Sequence, residues 1–162
     1  MFPIRPDGTR VLATAIAVLL ISAGCEEVTE FPEGGVEVRA THGLPSVRNE
    51  TIDFTASIAV DNFSARTLFL DEACNWVLER EEGGAWVPAY TAPCTPSPAL
   101  TQIAPGTSYV FTITAFVANR VDETAPLAGL YRVRLALEAS YSAVRRQVVP
   151  EEQRTSNGFV IL

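Results

Sequence analysis

The sequence predicts an all-β chain, an antiparallel sandwich of about seven or eight strands, on three observations. Past residue 35 the apolar residues recur with a period of two, and no stretch after residue 25 repeats convincingly at the helical period of 3.6. The 11 prolines and 10 glycines of the 162 residues sit largely between the alternating runs, where turns need them. A chain of this size built from short β-segments buries its apolar faces by stacking one sheet on another.

The clearest strand is Ile52, Phe54, Ala56, Ile58 and Val60, interleaved with Thr51, Asp53, Thr55, Ser57 and Ala59, which puts one face toward a core. Tyr109, Phe111, Ile113, Ala115 and Val117 repeat the pattern around Thr112 and Thr114. Tyr131, Val133, Leu135 and Leu137 do so again, with Arg132, Arg134 and Glu138 expected to face water. Shorter runs span residues 36–40, 67–70, 76–80, 85–90 and 159–162. Glu81-Glu82-Gly83-Gly84 separates two of them, Ala104-Pro105-Gly106-Thr107 leads into the run at Tyr109, and residues 126–129 lead into the run at Tyr131.

Ahead of the strands lies a helical signal that is expected to be cut off. Arg5 and Arg10 make a cationic start, residues 11–21 an apolar core, and Ala23-Gly24 the small residues a signal peptidase requires. The 13 residues of 11–23 fall well short of the roughly 20 that span a bilayer as a helix, which argues for cleavage over a retained anchor. Leu20-Ile21-Ser22-Ala23-Gly24-Cys25 resembles the lipobox of bacterial lipoproteins, with Ser22 standing where an aliphatic residue is usual. The resemblance implies that residues 1–24 are removed and that Cys25 becomes a lipidated first residue. Several acyl chains would then hold the protein at the membrane, where one alone binds marginally. It also implies a bacterial envelope protein, and Glu26 in place of Asp after the cysteine leans toward the outer membrane. Residues 25–35 follow as the lipidated cysteine and an acidic tether that ends in paired glycines, leaving residues 36–162 as one domain.

Without Arg5, Arg10 and Asp7 the 12 cations and 19 acids become 10 and 18, a formal charge of −8. Nucleic acid is excluded as a partner, because its binding needs a basic stripe and the one tight basic pair is Arg145-Arg146. With Cys25 taken by lipid, Cys74 and Cys94 remain as an even pair. They lie equidistant from Gly84, so a hairpin turning there would bring them face to face. In an oxidising compartment they are expected to form a disulfide. Closing that loop of about 20 residues contributes on the order of 3 kcal/mol. Two cysteines and a lone histidine do not supply a tetrahedral metal set, and neither metal nor cofactor is expected.

The chain also resembles bacterial immunoglobulin-like domains. The resemblance rests on four segments in order: Val60-Asp61-Asn62-Phe63-Ser64 at a strand end, Gly84-Ala85-Trp86-Val87-Pro88 in a hairpin, Ile103-Ala104-Pro105-Gly106-Thr107-Ser108 before a strand, and Leu127-Ala128-Gly129-Leu130-Tyr131-Arg132-Val133. It implies that Tyr131 ties back a corner near the start of a late strand. The antibody-type cysteine pair between sheets is absent, so the disulfide at Cys74 and Cys94 would staple a hairpin. Proteinase inhibitors of a similar bacterial sandwich type share the strand end, the tryptophan hairpin and the Pro-Gly turn, which makes inhibition the alternative to a noncatalytic binding or assembly role.

Catalysis is not expected. His42 is the one histidine, no nucleophile signature accompanies any serine, and His42 reads as a surface or strand-end residue. The acid pairs Asp71-Glu72, Glu81-Glu82, Asp122-Glu123 and Glu151-Glu152 read as solvated loop charge, because neighbours in a strand point to opposite faces. Trp76 and Trp86 are expected to pack between the sheets, with an exposed recognition surface as the other option. Residues 91–98, with Pro93, Pro96 and Pro98, form the most irregular loop and the candidate contact site. The partners so expected are a membrane, through the anchor, and an envelope protein.

Overall fold

The structure, a computed structural model, describes residues 34–42, 52–71, 74, 76–94, 100–141 and 146–162. The signal, Cys25, most of the tether, Pro96 and Pro98 lie outside the described residues. Within them run eleven strands: β1 (Val36–His42), β2 (Ile52–Asn62), β3 (Leu68–Leu70), β4 (Trp76–Glu82), β5 (Ala85–Thr91), β6 (Thr101–Ile103), β7 (Ser108–Phe116), β8 (Gly129–Leu135), β9 (Leu137–Tyr141), β10 (Arg146–Val148) and β11 (Phe159–Ile161). All pairs are antiparallel, and the helical elements among the described residues are two 3-10 turns, Val117–Asn119 and Glu151–Gln153.

The first sheet has the order β1-β2-β7. The other two run β10-β9-β3-β6 and β11-β8-β4-β5, and their pairings match row by row. β8 passes into β9 across Ala136 and β3 precedes β4 across residues 71–75, while β10 and β11 flank one side and β6 and β5 the other. The two small sheets are therefore halves of one broken four-row layer. Among the described residues this gives eleven strands where about seven or eight were expected, because the rows of that layer are each interrupted.

The alternation in sequence becomes alternation in burial. Phe54, Ala56, Ile58 and Val60 of β2, with Phe111, Ile113 and Ala115 of β7, turn inward against Leu78, Tyr90, Tyr131, Val133 and Leu135. Phe54 bridges the layers, its ring 5.5 Å from those of Tyr90 and Tyr131 and 6.4 Å from that of Phe159. Burying one side chain such as Ile58 or Leu78 contributes roughly 1.5–3 kcal/mol. Val117 departs from the expected run, because the chain leaves β7 there for a 3-10 turn and the side chain is exposed.

The β4–β5 hairpin turns through Gly83 and Gly84, at φ 61° and 88°. Two successive positive φ values suit a two-residue turn that follows strand twist, and glycine adopts them without steric cost. At the far end of β2 a fully buried Asn62 knots three segments. Its amide donates to the carbonyls of Arg66 (2.7 Å) and Ile103 (2.9 Å), and its oxygen accepts from the Ser64 amide (3.1 Å) and hydroxyl (2.6 Å). Its backbone exchanges bonds with the 106–107 turn, Gly106 N to Asn62 O at 2.8 Å and Asn62 N to Thr107 O at 3.0 Å. Such a residue satisfies buried backbone groups that the sheets leave open.

Candidate functional site

The described polar groups gather in three places, the first a cleft beside β5. The rings of Tyr90 and Tyr131 lie in the core while their hydroxyls reach this cleft, which Arg80, Glu82, Arg120, Asp122 and Pro126 also line. Asp53 of β2 is almost wholly buried and accepts from Tyr90 Oη at 2.8 Å, Arg120 Nε at 2.6 Å and Arg120 Nη2. A buried carboxylate without such partners would cost several kcal/mol. Burial, and then the bond to Asp53, raise the Tyr90 phenol above its ordinary value, and Asp53 holds the Arg120 guanidinium firmly protonated. The segment carrying Arg120 lies along the edge of β5, with Val121 N donating to Ala89 O at 2.9 Å.

Arg80 occupies an inward position on β4 after Trp76 and Leu78. Its head emerges in the cleft, where it pairs with Glu82 and donates to the Pro126 carbonyl. Tyr131 Oη donates to the Leu127 carbonyl at 2.9 Å, four residues back, which is the tie expected of this tyrosine. Asp122 closes the intervening turn by accepting from the Thr124 amide (2.8 Å) and hydroxyl (2.7 Å), and these bonds lower its pKa. The cleft lining holds no serine, cysteine or histidine. Each of its arginines faces a carboxylate, and these pairs with the Arg80 bond to Pro126 O tie residues 120–126 to β2 and β4.

The second cluster lies on the outer face of the β8-β4 pair. Glu79 is 5% exposed and is clamped by Arg132, with Nε and Nη2 both 2.7 Å from Oε2, and by Arg134 Nε at 2.8 Å from Oε1. The expectation that Arg132 and Arg134 face open water is therefore corrected: register sets Arg132 opposite Glu79, and a sequestered carboxylate draws in both cations. Arg132 also sits 4.6 Å over the Trp86 ring. Trp76 is buried in the core as expected, but Trp86 is not between the sheets. It pairs with Glu81 on the outer face, half-buried beneath Arg132.

The third place is the base of the β4–β5 hairpin. A bulge between Leu78 and Glu79 shifts the register so that Val77 faces Thr91, and the same register carried three residues on sets Cys74 opposite Cys94. The structure brings them together as free thiols, with Cys94 Sγ donating to Cys74 O at 3.5 Å. The neighbouring Cys94 side chain pushes the Cys74 thiol up to about 11. Pro93 and Cys94 are exposed just past the end of β5.

His42 closes β1. The acid pairs prove less idle than expected. Glu81 accepts from Gly84 N at 2.6 Å and Glu82 pairs with Arg80, while Asp122 makes the turn bonds described above. Reading the sequence missed Asp53, Glu79, Arg80 and Arg120 as a set. The one available signal was Arg80, a charge at the inward parity of an apolar strand. Among the described residues no group of three or more His, Cys, Asp and Glu is placed to hold a metal, and no helix is long and apolar enough to cross a membrane.

These features define an all-β protein of facing antiparallel sheets with internally neutralised charge clusters. No family model matches the chain, and no curated protein matches it. Its structure is similar to the X-ray structure of Northeast Structural Genomics Consortium target SoR45, at 16% identity and a TM-score of 0.40 over 78% of this chain and 83% of that one.

Proposed function

We propose that the protein is a lipid-anchored component of the bacterial cell envelope, outer membrane by the lean of Glu26, whose immunoglobulin-like domain is a noncatalytic binding or assembly module. What carries the reading is the mounting of the loop at residues 120–127 on fixed anchors. Arg120 is pinned by Asp53, and residues 122–127 are held by Asp122, Arg80 and Tyr131. Charged groups spent on holding loops leave the loop surfaces to do the recognising. The Tyr131 tie, the Asn62 knot at the strand end and the Gly83-Gly84 hairpin support the immunoglobulin-like assignment, and the Cys25 motif supports the anchor. In the envelope Cys74 and Cys94 are joined as a disulfide, two thiols already side by side in an oxidising compartment.

Intact mass of protein from the native envelope, before and after reduction and alkylation, tests the placement. The expected species lacks residues 1–24, carries acyl chains on Cys25 and gains two alkyl groups only after reduction. An unlipidated mass rejects the anchor, and alkylation without reduction rejects the disulfide. Stoichiometric inhibition of a protease, with slow cleavage within residues 91–98, would replace the binding module with an inhibitor.

A further inference from the structure

Among the described residues β7 is the long sheet edge without a guard. Every sheet edge offers a row of backbone N–H and C=O groups to another strand, and proteins guard such edges by shortness, charge, proline or cover. The other edges here follow that practice. β6, β10 and β11 have three residues each. β5 contains Pro88 and is flanked by the segment at Arg120 and Val121. β1 carries Glu37 and Arg39, and the Asn157 side chain occupies its edge, accepting from Ala40 N at 2.8 Å and donating to Ala40 O at 3.1 Å.

Among the described residues β7 has none of these devices. Its nine residues, Ser108–Phe116, include no charge and no proline, and among the described residues it pairs on one side only, with β2. On its outer face stand Val110, 62% exposed, then Thr112 and Thr114, β-branched residues suited to a pleated surface.

We infer that β7 pairs antiparallel with β7 of a second copy of this chain about a twofold axis through Thr112, joining two three-stranded sheets into one of six. The occupant follows from the strand itself. Thr112 is the midpoint of β7, so a twofold there sets Val110 opposite Thr114 twice and Thr112 opposite its own mate. The three central outer-face pairs are then β-branched against β-branched, the end pairs set Ser108 opposite Phe116, and no like charges are opposed. On the core-facing side Phe111 meets Ile113 twice, extending both cores. The acidic chain repels itself generally, but it brings no charge to this strand, and a charged partner strand would find no complement there. An isologous contact of this kind closes on itself and does not propagate into fibres.

The test uses the full chain in membranes or lysate under mild oxidation with copper phenanthroline. Residues opposed in an antiparallel pair have Cα atoms about 4.5–5.5 Å apart, within disulfide reach. Thr112→Cys is therefore expected to give a species of twice the monomer mass on a non-reducing gel, at least tenfold above the unsubstituted chain. Ser57→Cys, one strand inward on the same face, is the control: its copies would be roughly 14 Å apart and stay unlinked. Val110→Cys co-expressed with Thr114→Cys should link as a mixed pair and fixes the register. Cross-linking of Thr112→Cys no greater than that of Ser57→Cys, with both thiols reacting with maleimide, overturns the proposal. So does an adduct of another mass, which would give the edge to a different protein. Neither outcome bears on the lipid anchor.

Discussion

Replacing Asn62 with alanine should be among the most damaging single changes in this fold, although the residue touches no cleft. Its side chain makes four hydrogen bonds within 3.1 Å and is wholly buried, so water cannot replace what is lost. At about 1 kcal/mol net for each bond, offset in part because the Ser64 hydroxyl also reaches Arg66 O, the loss comes to about 3–4 kcal/mol. Equilibrium urea unfolding, followed by fluorescence of the buried Trp76, reads it directly. With a slope near 1.5–2 kcal/mol per molar, the midpoint should fall by about 2 M. Asn62→Asp separates the two halves of the knot. It keeps an acceptor for Ser64 but turns a carboxylate toward the Arg66 and Ile103 carbonyls, and at neutral pH it should cost at least as much as alanine. A loss under about 1 kcal/mol in Asn62→Ala would refute the view that this side chain holds β2, the 64–66 turn and β6 together.

Two further predictions probe single ties. Tyr131→Phe keeps the ring against Phe54 and Phe159 and removes the hydroxyl that bonds Leu127 O and faces Arg80; it should cost about 1–2 kcal/mol in the same assay, and no change would mean that the corner is held by packing alone. Asp61, 4% exposed, has its pKa lowered chiefly by the Ser108 hydroxyl and then by Arg39, against the opposing effect of burial. A folded value below the unfolded one means stability that is present above about pH 4 and lost as pH falls through the folded value. Asp61→Asn should therefore be less stable than the parent at neutral pH and show a flatter decline as pH falls below about 4, measured by thermal melts at successively lower pH; parallel declines would exclude Asp61 as a source of the acid sensitivity.

Much of the architecture is legible in the chain because strand geometry is local. A side-chain period of two places Phe54, Ile58, Phe111, Tyr131 and Val133 inward from their neighbours alone, and Gly83-Gly84 marks its turn because few other residues adopt two positive φ values in succession. Trp76 was legible for the same reason. β6 and β10 were not, because Thr101-Gln102-Ile103 and Arg146-Gln147-Val148 carry one apolar residue each, whereas the equally short β3 and β11 are apolar throughout.

The sequence by itself determined an all-β chain, the inward faces of its main strands and the β4–β5 hairpin, all consequences of contacts between near neighbours, while the bulge at Leu78 and Glu79 sets the register in which Cys74 meets Cys94. Only the tertiary structure decided that β8 and β9 break one layer into two sheets, that Trp86 lies outside beneath Arg132, and which charges find each other. Glu79 stands 53 residues from Arg132, and Asp53 stands 67 from Arg120. Such pairs are set by register across strands and by the high cost of burying a lone charge, and neither leaves a mark on the residues beside it in the chain.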